Sequence, residues 1–521
     1  MVMDMATATV MARKPKYSVV FPPVTLLTLA MGLAYPAYAA EWKITPSITA
    51  TETATDNVAL SSTSRQSDLV TDISPAIHIS GSGGRVKLNL DYQLHNLFYA
   101  KDSDRNQTQN SLNAMGTLEA IEDWFFIDAS GTISQQGISP FLGGSNSSSV
   151  NVNTDNNTTE TSTYRVSPYF RGTLGGFADY LLRYNLATTK AQTSGAYDSD
   201  SREVVFKLKG VTTLASLGWS IDANRLNTKN GNGLSNESDT LRGVLTYHFS
   251  PQFRGNIIAG REANDYLSES KESHTIKGAG VEWTPTARTS LAASRESRFF
   301  GNSNKIDFTH RTAGTAWKYS ESKGATTQPN QSTLGQGTNY DLFFNLYASA
   351  IPDPVARAAY VNALLLSNGI SSNAQSQGGY LTSGVTLQHQ RTLSFAITGV
   401  TNTVTFAATQ SKTNNLSKVI GSGLLIGQDQ SLFQSVKQRG LSVNWSHKVT
   451  PNATLVGMVS HLKSRGSGSN SAESTQKTFN LNFLVQLSPQ TTASLGARRV
   501  IKDGTSSYKE NALTATLSHQ F

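Results

Sequence analysis

Nine histidines are scattered along the chain, at His78, His95, His248, His274, His310, His389, His447, His461 and His519. Imidazoles that hold a metal recur at short fixed spacings such as H-x-x-x-H, and no two of these do. They read as polar side chains of the elements that carry them, and no metal or cofactor is expected. Thr246, Tyr247 and Phe249 surround His248 and suggest a strand end, not a nucleophile–base pair. Whether Asp72 and His78 meet in space is a question for the fold. No G-x-S-x-G elbow and no Walker or Rossmann glycine pattern occurs, and Gly81-Ser82-Gly83-Gly84 reads as a turn. Cysteine is absent, which removes thiol nucleophiles, thiolate metal sites and disulfides. No enzyme is expected. The chemistry on offer is electrostatic. Arg85, Lys87, Arg165, Arg171, Arg183, Lys207, Lys209, Arg242, Arg254 and Arg498 fall on the polar face of alternating segments. Around a channel, such bases favour anions. Asp91, Glu119, Asp179 and Asp222 share that face and can pair with them.

The elements that must position these bases are strands. In "RVKLNLDYQLH", Val86, Leu88, Leu90, Tyr92 and Leu94 alternate with Lys87, Asn89, Asp91 and Gln93. In "TFNLNFLVQL", Phe479, Leu481, Phe483, Val485 and Leu487 oppose Thr478, Asn480, Asn482 and Gln486. A period of two puts successive side chains on opposite faces of a strand. Such segments, about ten residues long, come in pairs. Short turns join each pair, at Gly81–Gly84, Glu122–Asp123, Gly175–Gly176, Ser250–Gln252, Pro285–Arg288, Thr450–Asn452 and Ser488–Gln490. Longer polar loops separate the pairs, among them Thr55–Ser67, Gln136–Thr161 and Thr413–Gln434.

Composition agrees. Of 521 residues, 38% are hydrophobic and 15% charged, and both shares are low. The 21 Phe, 18 Tyr and 6 Trp are too many for a disordered coil. The net charge is +8; three bases and one acid in the first 39 residues subtract two, leaving about +6. No block of consecutive Lys/Arg appears, so no nucleic-acid partner is expected. The start carries Arg13, Lys14 and Lys16, an apolar stretch from Val19 to Leu33, and Ala37-Tyr38-Ala39. That order is a secretory signal peptide over residues 1–39, leaving 40–521 as the exported protein. After Ala40 no apolar run reaches the ~20 residues that a spanning helix needs.

An exported, alternating chain with short turns on one side and long loops on the other points to an all-β transmembrane antiparallel barrel in the outer membrane of a Gram-negative bacterium. Membrane lipid is then its first partner. About 21 strands can be counted, and a barrel with both ends on one side needs an even number, so 20–22 strands are expected. The miscount is placed in Ser320–Gly384. There Asp353-Pro354 can open a helix and Asn368-Gly369 can end one, giving a short helical insert at about 339–369. The Gln136–Thr161 loop is long and rich in Ser and Asn; it is either an inward constriction or a mobile surface loop.

Two resemblances add to this. Leu513, Ala515, Leu517 and the terminal Phe521 resemble the C-terminal signature that the barrel-assembly machinery reads in outer-membrane proteins, with His519 departing from the usual apolar residue. The opening strand "EWKITPSITATETATDNV", the "IPDPVARAAYVNALLLSNGI" insert and the "TNTVTF" strand resemble a family of outer-membrane barrels associated with exosortase/PEP-CTERM sorting and exopolysaccharide systems. This resemblance implies a pore or envelope component in export of polysaccharide or sorted proteins. An anionic polysaccharide would suit a basic lumen. A structural or adhesive barrel with a plugged lumen, and a barrel hydrolase, are the alternatives.

Overall fold

In the first strand, β1 (Glu41–Thr55), Ile44, Ile48 and Ala50 point one way and Thr45, Ser47, Thr49 and Thr51 the other. The computed structural model describes residues 41–143, 150–154, 157–193, 198–212, 216–231, 233–327, 344, 347, 357, 361, 380–382, 384–416, 433–468 and 471–521. Twenty-one further strands follow among them. The first group is β2 (Asp68–Ser82), β3 (Val86–Tyr99), β4 (Gln107–Ile121), β5 (Phe125–Gly137), β6 (Thr158–Leu174) and β7 (Ala178–Ala191). Next come β8 (Ser199–Val211), β9 (Leu217–Asn230), β10 (Ser235–Ser250), β11 (Phe253–Asn264), β12 (Glu272–Thr286), β13 (Thr289–Arg298), β14 (Gly301–Arg311) and β15 (Thr315–Thr326). The last are β16 (Thr386–Thr398), β17 (Asn402–Asn415), β18 (Ser435–Thr450), β19 (Ala453–Ser467), β20 (Ala472–Ser488), β21 (Thr491–Gly504) and β22 (Tyr508–Gln520).

Each strand pairs antiparallel with the next, and β1 pairs with β22 from Ser47 opposite Gln520 to Thr55 opposite Ala512. The sheet of 22 strands therefore has no free edge. Closure is a physical requirement, because hydrocarbon cannot satisfy the N–H and C=O groups of an open edge. Lumen-side hydroxyls reinforce the seam, with Thr49 donating to Ser518 at 2.9 Å and Thr51 meeting Thr516 at 3.1 Å.

The even strand number falls within the expected range. Two hairpin turns, at 312–314 and 399–401, carry too little turn signal to be read from the sequence. Of the helix expected at about 339–369 only residues 344, 347, 357 and 361 are described, and the insert is not shown. The strands run from 10 to 17 residues, longer than the expected ten or so. Their extra length is at the outer end, where both faces are polar and the alternation fades. Turn and loop lengths are also less regular than expected, since the outer connection between β13 and β14 is only Phe299-Phe300.

Trp42, Ile48, Trp124, Leu245, Trp283, Leu441, Leu481 and Leu517 are exposed, and they belong to one continuous outward band. An apolar surface of that extent is not stable in water and is the lipid face of a membrane barrel. The protein is an outer-membrane β-barrel. At the short-turn end the band carries aromatics: Trp124 donates Nε1–H to the Tyr180 hydroxyl at 2.8 Å, and Phe125 stacks on Phe170 at 4.6 Å. Interfacial rings of this kind have an apolar body and a polar tip, which suits the membrane boundary. The turn at Gly175-Gly176 has φ of +53° and +74°, a left-handed conformation that glycine adopts without strain.

The C-terminus is part of the wall. The Phe521 N–H donates to the Pro46 carbonyl at 2.9 Å. Leu513, Ala515 and Leu517 face outward with His519. His519 sits edge-on to Phe521 at 4.9 Å and bonds Thr491 at 2.9 Å. The residue that departs from the C-terminal pattern is thus accommodated within the girdle.

Candidate functional site

The inward face can be identified by what touches it. Val70, Leu97 and Tyr99 alternate with the exposed Leu69 and Phe98, and on the inner side they pack against Val150 and Val152 of the β5–β6 loop. The pairing register then places nine of the ten bases singled out by sequence on the lumen side, and Arg85 lies outside it. Lys207 lies opposite Asp222, which lies opposite Arg242; Lys209 lies opposite Asp179; Arg165 lies opposite Ser130. Arg85 is in the β2–β3 turn at the short-turn rim, and Lys87 is just inside it.

These bases do not form a ring. They spread over the height of the barrel, and half of them are neutralised. Arg183 pairs with Asp128 at 2.7 Å, Arg242 with Glu296 at 2.6 Å and Asp222 at 3.6 Å, and Arg498 with Glu510 at 2.7 Å. Arg254 reaches Glu282 and Arg85 reaches Glu122, both at 3.5 Å. Arg171 lies over the Phe126 ring at 4.1 Å and Arg183 over Tyr169 at 4.2 Å. Among the described residues Lys87, Lys207 and Lys209 form no ion pair, and all three are exposed near the short-turn end. Positive charge without a partner is therefore concentrated at the periplasmic side of the lumen.

The outer end differs. The described residues of the β5–β6 loop, 138–143 and 150–154, turn inward and are fastened to two stretches of wall separated by β22, β1 and β2. On one side the Tyr99 hydroxyl donates to the Val152 carbonyl at 3.1 Å, and Gln109 exchanges two bonds with the Asn151 backbone at 2.7 and 2.8 Å. Arg105 donates to Thr154 at 3.1 Å. On the other side Ser474 donates to the Pro140 carbonyl at 3.1 Å, and Lys502 donates its ammonium to the Leu142 carbonyl. Phe141 fills a pocket with Tyr380, Phe433 and Val436, its ring 4.9 Å from that of Phe433. Leu381 N–H donates to the Gly137 carbonyl at 2.9 Å, which seats the chain entering β16 against the same loop. Burial pushes the Tyr380 phenol up to about 12, so this pocket stays uncharged at physiological pH. The β1–β2 loop also turns in, with Leu60 against Val500 and Tyr508. Of the Gln136–Thr161 loop, residues 138–143 and 150–154 lie against the inner face of the wall. The signal lay in Phe141, Leu142, Val150 and Val152, apolar residues in an otherwise Ser/Asn-rich stretch.

Two polar clusters escaped the sequence reading because their members come from neighbouring strands. Asp72 meets His95, not His78: Asp72 Oδ2 is 2.8 Å from His95 Nδ1, and Ser74 donates to Asp72 Oδ1 at 2.6 Å. Ser74 is also 2.9 Å from the same Nδ1. A nucleophile–base relay uses both ring nitrogens, one for the serine and one for the acid. Here both partners crowd one nitrogen, so the cluster is a buried polar brace. His78 pairs with Asp91 at 2.6 Å in the open lumen. The second cluster is Arg298 on the buried Glu262, at 2.6 Å, with the Phe299 N–H at 2.7 Å.

No family model matches the chain, and no curated protein matches it. Among solved structures, the FrpB iron transporter from Neisseria meningitidis aligns with a TM-score of 0.49 and 10% identity, over 92% of this chain and 81% of that one. A ferric enterobactin receptor (PfeA) mutant from Pseudomonas aeruginosa, in complex with enterobactin, gives 0.48 and 8%, over 92% and 81%. OpdK of Pseudomonas aeruginosa with vanillate gives 0.31 and 11%, over 92% and 99%. The similarity is one of barrel outline.

Among the described residues no three His, Asp or Glu side chains converge as a metal site. The arrangement amounts to a polar-walled lumen with free lysines at its periplasmic end and an anchored loop across part of its outer mouth.

Proposed function

We propose that the protein is an outer-membrane pore for a hydrophilic solute or polymer, narrowed at its outer mouth by the 138–157 segment. The observation that supports this is the fastening of that segment to β3 and β4 on one side and β20 and β21 on the other, inside a wall whose lower half is open to water. A loop that braces a lumen from within sets the size of what passes while leaving the barrel intact. The unpaired Lys87, Lys207 and Lys209 support anions over cations at the periplasmic entrance. An anionic polysaccharide as cargo, and an association with exosortase/PEP-CTERM export, are proposed on the sequence resemblance alone. So is delivery by the barrel-assembly machinery.

The test is single-channel conductance of the refolded mature chain in a planar bilayer, beside a variant lacking residues 138–156. Small, anion-favouring steps that enlarge on deletion are expected. Equal conductance from the two proteins would show that the segment does not limit flow. Silence from both folded proteins would favour the plugged structural barrel.

A further inference from the structure

The outer surface of the barrel carries an asymmetry that a pore does not require. On the outward face of β17–β22, residues in register form rows across the strands, and the upper rows are basic. Lys412, Lys437 and Arg465 stand in one row, Arg439 and Lys463 in the next. Lys477 and Lys509 flank Ile501 in the third, and Arg499 lies between Phe479 and Asn511 in the fourth. The acids outward on these upper rows are Glu473 and Asp503, and Asp56 stands beside the fourth row, where it accepts from Asn511 at 2.7 Å. Glu473 is already shared between Lys463 at 2.5 Å and Arg465 at 2.8 Å. Among the described residues Lys412, Lys437, Arg439, Lys477 and Arg499 form no ion pair.

Lys412 is directly opposite Lys437, Lys437 opposite Arg465, and Arg439 opposite Lys463. Like charges about 5 Å apart across a ladder repel and cost stability. The opposite sector shows the usual solution at the same height. There Arg225 pairs with Asp239 at 3.6 Å, and Lys271 bonds both Glu237 and Asp239 at 2.7 Å. The β17–β22 sector has fewer acids than bases, so it presents a net positive surface that an anion from outside the chain would compensate.

Directly below the basic rows the wall is concave. Gly457 and Ala497 leave a groove of about 950 Å³ between the larger Trp445, Val459, Leu481 and Leu513, with Arg499 at its outer end. The groove faces the hydrocarbon and the bases face the headgroups. We propose that this sector binds a phosphorylated lipid of the outer leaflet, its phosphates bridging Lys437, Arg439, Lys477 and Arg499 and an acyl chain lying in the groove. The site does not depend on whether the lumen conducts.

The folded full-length barrel in detergent should retain a bis-phosphorylated, multiply acylated disaccharide lipid in native mass spectrometry, with one lipid per chain. Reversing Arg439 and Lys477 to Glu should weaken this binding by about 10- to 30-fold, from roughly a fivefold step per basic residue or slightly less. Reversing Arg225 and Lys271 in the balanced sector should leave it unchanged, and heat-modifiable gel mobility shows whether each variant is a folded barrel. If the reversed barrels do not fold, Arg439→Gln with Lys477→Gln is expected to show the same loss in smaller measure. Equal binding of the phosphate-free lipid would overturn the proposal, as would equal loss in both sectors. Occupancy by inorganic phosphate as tight as by lipid, or a second copy of the chain on this face, would overturn it too.

Discussion

The two ends of the lumen are built from the same wall and behave differently. At the periplasmic end Lys87, Lys207, Lys209 and Asp91 are exposed, although they point inward. At the outer end Lys502 and Glu510 are each 1% exposed, and Asp72 and His95 are buried as well. The strands do not account for this difference, since a single-layered wall leaves its inner face open. The loops do. Where residues 138–143, 150–154 and the β1–β2 loop turn inward, polar wall residues lose water and must find partners, while the charges below either pair in the open lumen, as His78 does with Asp91 at 2.6 Å, or stay unpaired in water, as Lys207 does. Resistance to flow, and the energetic importance of individual charges, should therefore both be concentrated at the outer end.

The strongest way to break this comparison is to remove residues 138–156. A severalfold rise in single-channel conductance is expected, with both ends of the lumen then behaving as open wall. Next is Glu510→Ala, which strands Arg498 with little water and removes the acceptor of Thr55 at 3.1 Å. A loss of about 3 kcal/mol is expected in a urea titration of the refolded barrel. Phe141→Ala empties the pocket shared with Phe433 and Tyr380 and should free the loop at a cost of about 2–3 kcal/mol. Its readout is faster protease cleavage within 138–157 and noisier conductance, with the unfolding midpoint of the barrel unchanged. At the periplasmic end, Lys207→Gln with Lys209→Gln should change stability little and shift the reversal potential modestly toward cations. The smallest effect is expected for Glu122→Ala. Its partner Arg85 is 3.5 Å away and both side chains are largely in water, so the change should stay within about 0.5 kcal/mol. An effect of Glu122→Ala as large as that of Glu510→Ala would remove the distinction between the two ends.

Much of the barrel was legible because a membrane wall must repeat one simple pattern. The alternation of Val86, Leu88 and Leu90 with Lys87 and Asn89 is enough to assign faces along this strand. Legibility failed where the pattern loses its cause. Above the hydrocarbon the outward face meets water and headgroups, so residues such as Arg439 and Lys463 break the alternation while the ladder continues. The helix expected near 339–369 lies mostly outside the described residues. The pairing of Asp72 with His95 could not be read, because it depends on which residues of β2 and β3 share a row.

The sequence by itself determined the class of wall, the side each residue takes and the closure of the last strand on the first. These are local: a period of two, an apolar band and a terminal strand suffice, because hydrocarbon accepts no other arrangement. The tertiary structure decided the even count, the pairing of half the ten bases, the inward seat of Phe141 and the unbalanced charge on the outside of β17–β22. Each of these depends on residues far apart in the chain, as Ser474 and Pro140 are, and they are brought together only when the sheet closes and its loops choose a side.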